Sequence, residues 1–286
     1  MILLSILFIF LGLFSESSLS NEFEKDSKID NQSDTYIVSP IALSITRNRR
    51  FPEHNYSFGV PTGYGSFNRE IYVGLQYLAD IEEGPFVWHD SSNNKRADAS
   101  MDIGFGFGDP TNGIGSELFF GIISMASQNG KSSFGEDGTF GIKLHKHLSK
   151  DSNLATSIGW ANVAKWGEAS TFDTYYWAIS KMFDITPQNE NKFTSMITLG
   201  IGTGEFRSDD SINNSSNDPN LFGSFGVKIL PRVSIGSSWD GRGLNAGVNF
   251  TPLDIPLSIN VGYKEIGEPV SDNSLISINT SYVLKY

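Results

Sequence analysis

The chain has 286 residues and no cysteine, with 21 Lys and Arg against 32 Asp and Glu, for a net charge of −11. A disulfide framework is therefore excluded, and the acidic balance argues against a nucleic-acid partner, whose phosphates need Lys and Arg. Hydrophobic content is 39%, yet aromatics reach 13% and there are 29 glycines; helix-period segments are hard to find, and the chain reads as all-β.

"MILLSILFIFLGLFSESSLS" (1–20) opens with an apolar run, residues 2–14, of the length of a secretory-signal core and too short for a spanning helix. Ser18-Leu19-Ser20 then offers small residues for cleavage. The expectation is a cleaved signal peptide, and with no cysteine after it, no lipoprotein anchor. "NEFEKDSKIDNQSDTY" (21–36) is polar and aperiodic. Residues 21–69 are read as a periplasmic N-terminal segment, acting as a plug of the lumen or adding strands at 37–46 and 54–60; "GVPTGYGSF" (59–67) reads as a loop.

From Ile71 the chain alternates. "IYVGLQY" sets Ile71, Val73, Leu75 and Tyr77 on one face against Tyr72, Gly74 and Gln76. "SMDIGFGFG" does the same with Met101, Ile103, Phe105 and Phe107, and "GTFGIKLHK" with Phe140, Ile142 and Leu144. "TSMITLGIGTG", "RVSIGSSW", "GLNAGVNF" and "PLSINVGY" continue it, and "SLISINTSYVLKY" carries it to the last residue. With less tidy runs near 116–125, 153–163, 172–183 and 221–229, the count is about twelve strands, or fourteen if the two N-terminal candidates pair into the sheet.

The second face of these strands is dominated by Gly, Ser, Asn and Ala rather than the Lys, Glu, Thr and Arg of a water-exposed sheet. Small residues suit the concave inside of a closed barrel, and the large apolar face then meets lipid. The expected fold is a closed, antiparallel, transmembrane up-and-down β-barrel over 70–286. Loop lengths agree: 79–98, 126–137, 164–171, 206–219 and 264–274 on one side mostly exceed 109–115, 148–152, 184–192, 230–231 and 251–255 on the other. "DG" at 240–241, a tight hairpin signal, is the short member of the longer set. Aromatics fall into two girdles: Tyr77, Trp160, Tyr175, Trp239 and Tyr263 towards the outer rim, Phe183, Phe250, Tyr282 and Tyr286 towards the inner one.

An exported chain with glycine-rich alternating strands and an aromatic final residue resembles the bacterial outer-membrane β-barrels. In that class the last strand is a recognition signal for the barrel-assembly machinery. "SYVLKY" is similar to it, with Tyr282, Leu284 and Tyr286 at alternate outward positions and Tyr in place of the commoner final Phe. More weakly, "FGEDGTFGIKLHK" and "SSWDGRGLNAGVNFTP" are similar to porin-like proteins of cyanobacteria. The resemblance implies the outer membrane of a Gram-negative-type bacterium, with outer-membrane lipid and the assembly machinery as partners.

Catalysis finds no support in the residue pattern. The four histidines are His54, His89, His145 and His147; none pairs with a nucleophile in a recognisable spacing. His145 and His147 share one strand face but lack further metal ligands nearby. Gly200, Gly202 and Gly204 have the wrong spacing for a dinucleotide loop, and "EFRSDDSINNSSNDPN" (205–220) lacks EF-hand spacing and reads as a solvated outer loop. No metal and no cofactor are expected. Candidate lumen-lining residues are Asp102, Glu117, Lys143, His145, Lys228 and Arg232, placed either to set ion preference or to close the lumen by salt bridging. The expectation is a porin-like passive channel for small hydrophilic solutes. The alternatives are a non-conducting structural or adhesive barrel and, further off, a lipid-modifying envelope enzyme.

Overall fold

The computed structural model describes residues 56–80, 98–123, 134–149, 151, 153–167, 171–186, 192–252, 255–266 and 275–285. Residues 1–55, which include the expected signal and His54, lie outside the described residues, as do His89 and Tyr286. The strands are β1 (Glu70–Asp80), β2 (Asp98–Gly108), β3 (Gly115–Ile122), β4 (Gly138–His147), β5 (Leu154–Trp166) and β6 (Thr174–Ile185). They continue as β7 (Phe193–Gly202), β8 (Asn220–Leu230), β9 (Val233–Trp239), β10 (Leu244–Phe250), β11 (Leu257–Ile266) and β12 (Leu275–Lys285). Each pairs antiparallel with its sequence neighbours, and β12 closes onto β1 from Glu70↔Lys285 to Asp80↔Leu275. A closed ring has no edge to offer, so the fourteen-strand alternative fails. Residues 56–60 are accordingly not in a strand.

The connections sort by rim. The ends of β2, β4, β6, β8 and β10 share one rim with the starts of the strands that follow them, and with the described connections 109–114 and 231–232; this is the short-loop rim. The ends of β1, β3, β5, β7, β9 and β11 lie at the other, the long-loop rim, with the described connections 203–219 and 240–243. The hairpin expected at 240–241 is present. Gly241 takes φ +105°, open to glycine without a Cβ penalty, and Asp240 Oδ1 accepts from the amides of Arg242 and Gly243.

Alternation separates the two faces as a barrel requires. Large apolar side chains point out and stay exposed, with Leu199 at 60% and Leu221 at 66%. They are contiguous: Ile235, Val248 and Val261 are successive register partners and all exposed. A soluble monomer rarely displays an apolar patch that encircles it. No helix among the described residues is long and apolar enough to cross a membrane.

The inward glycines have a more specific role than general crowding. A Cβ on Gly104 would overlap the Tyr72 ring, one on Gly141 the Phe119 ring, one on Gly159 the Tyr176 ring, and one on Gly200 the Phe222 ring. In each case glycine and aromatic are cross-strand or diagonal neighbours on the inner face. The flat ring lies over the bare backbone, so inward aromatics fit inside a barrel whose side chains converge.

The register of the ladder shifts between β4 and β5, between β8 and β9 and between β10 and β11. On β5 the register shifts opposite Phe140 and Ile142. Asn162 absorbs it at φ +61°, a region Asn tolerates better than most residues, and its amide donates to the Phe172 carbonyl at 2.9 Å.

Candidate functional site: a lumen crossed by a strap

Residues 56–67 run through the barrel instead of along its wall. Tyr56, Phe58, Val60, Thr62, Tyr64 and Ser66 are all buried, and their contacts touch opposite sides of the ring. The Tyr56 backbone lies against Gly226 and Gly236, and the Phe58 ring over Gly247 and Gly262. Gly63 sits on the backbone of Ala155, and Gly65 against His145 and Glu117. Asn68 and Arg69 then bond the Gly108 and Gly106 carbonyls at 3.1 Å before β1 begins.

A buried segment outside the sheet must still satisfy its peptide groups. Here the wall supplies the partners. Ser157 Oγ donates to the Thr62 carbonyl at 2.8 Å, and the Gly63 amide donates to Ser180 Oγ at 2.8 Å. Ser238 Oγ donates to the Phe58 carbonyl, and the Ser66 amide to Glu117. Lys143 Nζ donates to the Tyr64 carbonyl at 2.5 Å. Part of the serine content of the inner face is thereby explained: hydroxyls on β5, β6 and β9 hold the strap.

Of the sequence-expected lining residues, Glu117, Lys143 and His145 come together under this strap. Glu117 and Lys143 are register partners on β3 and β4, fully buried, with Nζ and Oε2 3.9 Å apart. His145 follows two residues along β4, buried, with neither ring nitrogen bonded. Gly115 and Gly65 flank its ring so closely that a Cβ on either would overlap it. Asp102 is half-buried on β2, with Oδ2 unpartnered. Lys228 is half-buried on β8 opposite Ser234, away from the other charges named. Arg232 is not on the inner wall. It stands exposed in the β8–β9 turn, where no strand alternation acts on it, and donates to the Pro252 carbonyl at 3.0 Å.

The expected girdle residues occupy varied surroundings. Trp160 and Tyr175 stack at 5.0 Å, and Trp239, Tyr263 and Phe250 are exposed. Phe183 and Tyr282 are half-buried, Leu284 is exposed, and Tyr77 is buried. The alternation reading put Tyr72 on the second face without a role for its ring, and left Phe119, Tyr176 and Phe222 out of account. Their signal was present in the sequence, as aromatics on the small-residue face, each with a glycine available across the register.

The segment expected as a solvated loop at 205–220 is partly folded into the mouth. Thr203 is followed by a 3-10 turn, Gly204–Phe206, and a short helix α1, Asp209–Asn213, capped by Ser208 Oγ. Phe206 stacks on Phe222 at 4.3 Å and meets Tyr176 edge-on. With Val60 of the strap and Ala178 they form a buried apolar cluster. The hydrophobic gain of hiding Phe206, worth roughly 1.5–3 kcal/mol for such a side chain, outweighs the polar composition of its neighbours. Arg207 holds the fold by donating to the Gly204 and Ser216 carbonyls, with its guanidinium 4.2 Å from the Phe172 ring centroid. One side of the lumen, across β6 and β8, is thus filled by strap and loop.

Glu205 in this loop has a perturbed carboxyl. Burial pushes it from 4.5 up to about 7, against the opposing pull of Arg242, Lys264 and Arg207 and the hydrogen bond from the Phe172 amide. A carboxyl raised in the folded state favours folding while protonated, and loses that contribution as pH rises. The Glu205→Gln variant should match the wild type in thermal midpoint below about pH 4.5 and gain on it up to about pH 7. Above that pH the gap should stay constant. Parallel midpoints across pH 4–8 in detergent would show that Glu205 is not held this way.

Among the described residues no group of three or more His, Asp or Glu side chains is placed to hold a metal ion. No family model matches the chain. No curated protein matches it. Solved structures similar to it include the outer membrane protein Omp33 of Acinetobacter baumannii, at 10% identity and TM-score 0.41, covering 77% of this chain and 99% of that one. An outer membrane channel from Pseudomonas putida F1 is similar at 9% identity and TM-score 0.42, covering 80% and 98%. The NanC porin is similar at 10% identity and TM-score 0.40, covering 74% and 98%.

Proposed function

We propose that this protein is a porin-like channel of the outer membrane of a Gram-negative-type bacterium, allowing passive diffusion of small hydrophilic solutes through a lumen narrowed by the strap. The observation that carries the reading is the inversion of the barrel. Exposed Leu, Ile, Val and aromatic side chains cover the outside, while Ser, Asn, Gln, Thr and charged groups face a closed interior. Only a lipid surround makes that arrangement favourable. In this reading residues 1–20 are a cleaved signal, the short-loop rim faces the periplasm, and Tyr282, Leu284 and Tyr286 form the signal read by the barrel-assembly machinery. A twelve-stranded ring lies between filled eight-stranded barrels and wide sixteen-stranded porins, and the strap occupies part of its interior.

Planar-bilayer recording tests the proposal. Folded, purified protein should give discrete conductance steps smaller than those of a wide porin. Their absence at all applied voltages would overturn it in favour of the non-conducting barrel, to which the filled side around Val60, Phe206 and Phe222 is suited.

A further inference from the structure

The outward face of β8 to β12 carries an open hollow of about 800 Å³. Among the described residues its lining holds no charged side chain, and the polar side chains in it are those of Ser237 and Tyr263.

Register explains the hollow. On β9 the outward positions are Val233, Ile235, Ser237 and Trp239; on β10 they are Leu244, Ala246, Val248 and Phe250. Each strand thus sets one small outward residue among three large apolar ones, and the two small residues are register partners. Phe225 of β8 and Tyr263 of β11 flank them in the same row, 41% and 50% exposed. Three strand spacings, about 14 Å, separate the two aromatics. Ile235, Val248 and Val261 make up the next outward row and border the hollow towards the short-loop rim.

The floor is backbone. Gly236, Gly247 and Gly262 stand between the two rows and line the hollow from beneath. Their lack of a side chain answers to the inside of the barrel, where Tyr56 lies against Gly236 and Phe58 over Gly247 and Gly262. Ser237 and Ala246 point the other way, so the strap does not account for their size. Large apolar side chains are the rule in the outward belt; at these two positions the wall drops to its peptide planes.

We propose that this hollow is a binding site for a hydrocarbon chain of a membrane lipid. The proposal rests on the outer-membrane reading above and not on conduction. The hollow is continuous with the exposed apolar belt that lipid covers in that reading, so a chain reaches it without leaving the membrane. Transfer from water supplies no preference there, because lipid tails are as apolar as Leu. Packing does. A chain on a smooth wall touches protein on one side, whereas in the hollow it meets the glycine floor, the flanking rings and the aliphatic border together. The lining offers no counter-charge to a headgroup, so it takes the chain and not the polar end. A second copy of this protein is the poorer occupant. A stable interface needs about 800 Å² per partner, and a floor about 14 Å wide and two residues, about 7 Å, high supplies a small fraction of that.

Photolabelling tests it. The full mature protein, folded in phosphatidylglycerol vesicles, is irradiated with a phosphatidylcholine probe that carries a diazirine midway along one acyl chain, and labelled peptides are mapped. Residues 233–250 should carry several-fold more label than β5 and β6, where the register partners Ile158 and Trp177 present large exposed side chains. In the Ser237→Leu/Ala246→Leu variant, which fills the hollow with side chains suited to a lipid face, that excess should disappear. Even labelling of the two regions in the wild type would overturn the site while leaving the membrane reading standing, as would an undiminished excess in the Leu variant. Label at 233–250 below that of β5 and β6 would overturn it in favour of a second copy covering the hollow. No label on any strand, together with protein that stays in solution without detergent, would overturn the membrane reading and the site with it.

Discussion

Deleting residues 57–66, so that Tyr56 joins Phe67, should raise single-channel conductance several-fold. The strap puts Phe58, Val60 and Tyr64 inside the ring, and conduction through a barrel of this size depends on what its interior leaves open. The deletion sacrifices burial worth roughly 1.5–3 kcal/mol for each large apolar side chain. It leaves the whole strand ladder intact, including the β1–β12 closure. The barrel should therefore still fold, as a shift in electrophoretic mobility between heated and unheated samples would verify. An unchanged conductance from a folded deletion variant would mean that the strap does not lie in the conducting path.

The second large effect concerns the ion pair beneath the strap. Lys143→Met should destabilise the protein by about 3–5 kcal/mol, the cost of leaving a buried partner charge uncompensated. Glu117 and Lys143 are both fully buried, and each also holds strap backbone: Glu117 the Ser66 amide, Lys143 the Tyr64 carbonyl. The double variant Glu117→Gln/Lys143→Met removes both charges and should cost less than the single change. Urea unfolding from lipid vesicles measures both. A double variant less stable than Lys143→Met would show that Glu117 does not depend on Lys143 for its compensation. Conductance of the single variant should rise as well, because the strap loses an anchor.

Most of the strand plan was legible because it is a local property. The alternation of Ile71, Val73 and Leu75, or of Leu257, Ile259 and Val261, depends only on the period of two that a pleated strand imposes. Loop lengths follow from where that alternation stops, and the short-loop rim at 109–114 and 231–232 matches its sequence estimate closely. Glu117 and Lys143 could be placed on an inner face for the same reason. Arg232 could not, because a turn has no period and parity continued into it is meaningless. Phe206 and Arg207 sit in a segment whose Asp, Asn and Ser content marks a loop correctly, but composition does not register one aromatic finding a pocket made by Tyr176 and Phe222.

What the sequence by itself determined is the alternation, the two faces and the small-residue lining. Each is set by neighbours two residues apart. Tertiary structure decided the rest. It took ring closure to place Gln76 beside Asn279 across the junction of the first and last strands. Glycines became seats for Tyr72, Phe119, Tyr176 and Phe222 only once register set which backbone each ring would cover. "GVPTGYGSF" reads as a loop from within. Its glycines at 63 and 65 are explained by Ala155 and by His145 with Glu117, all more than 50 residues away in sequence. Such contacts leave no local period, because their spacing is set by the diameter of the barrel and not by the geometry of the strand.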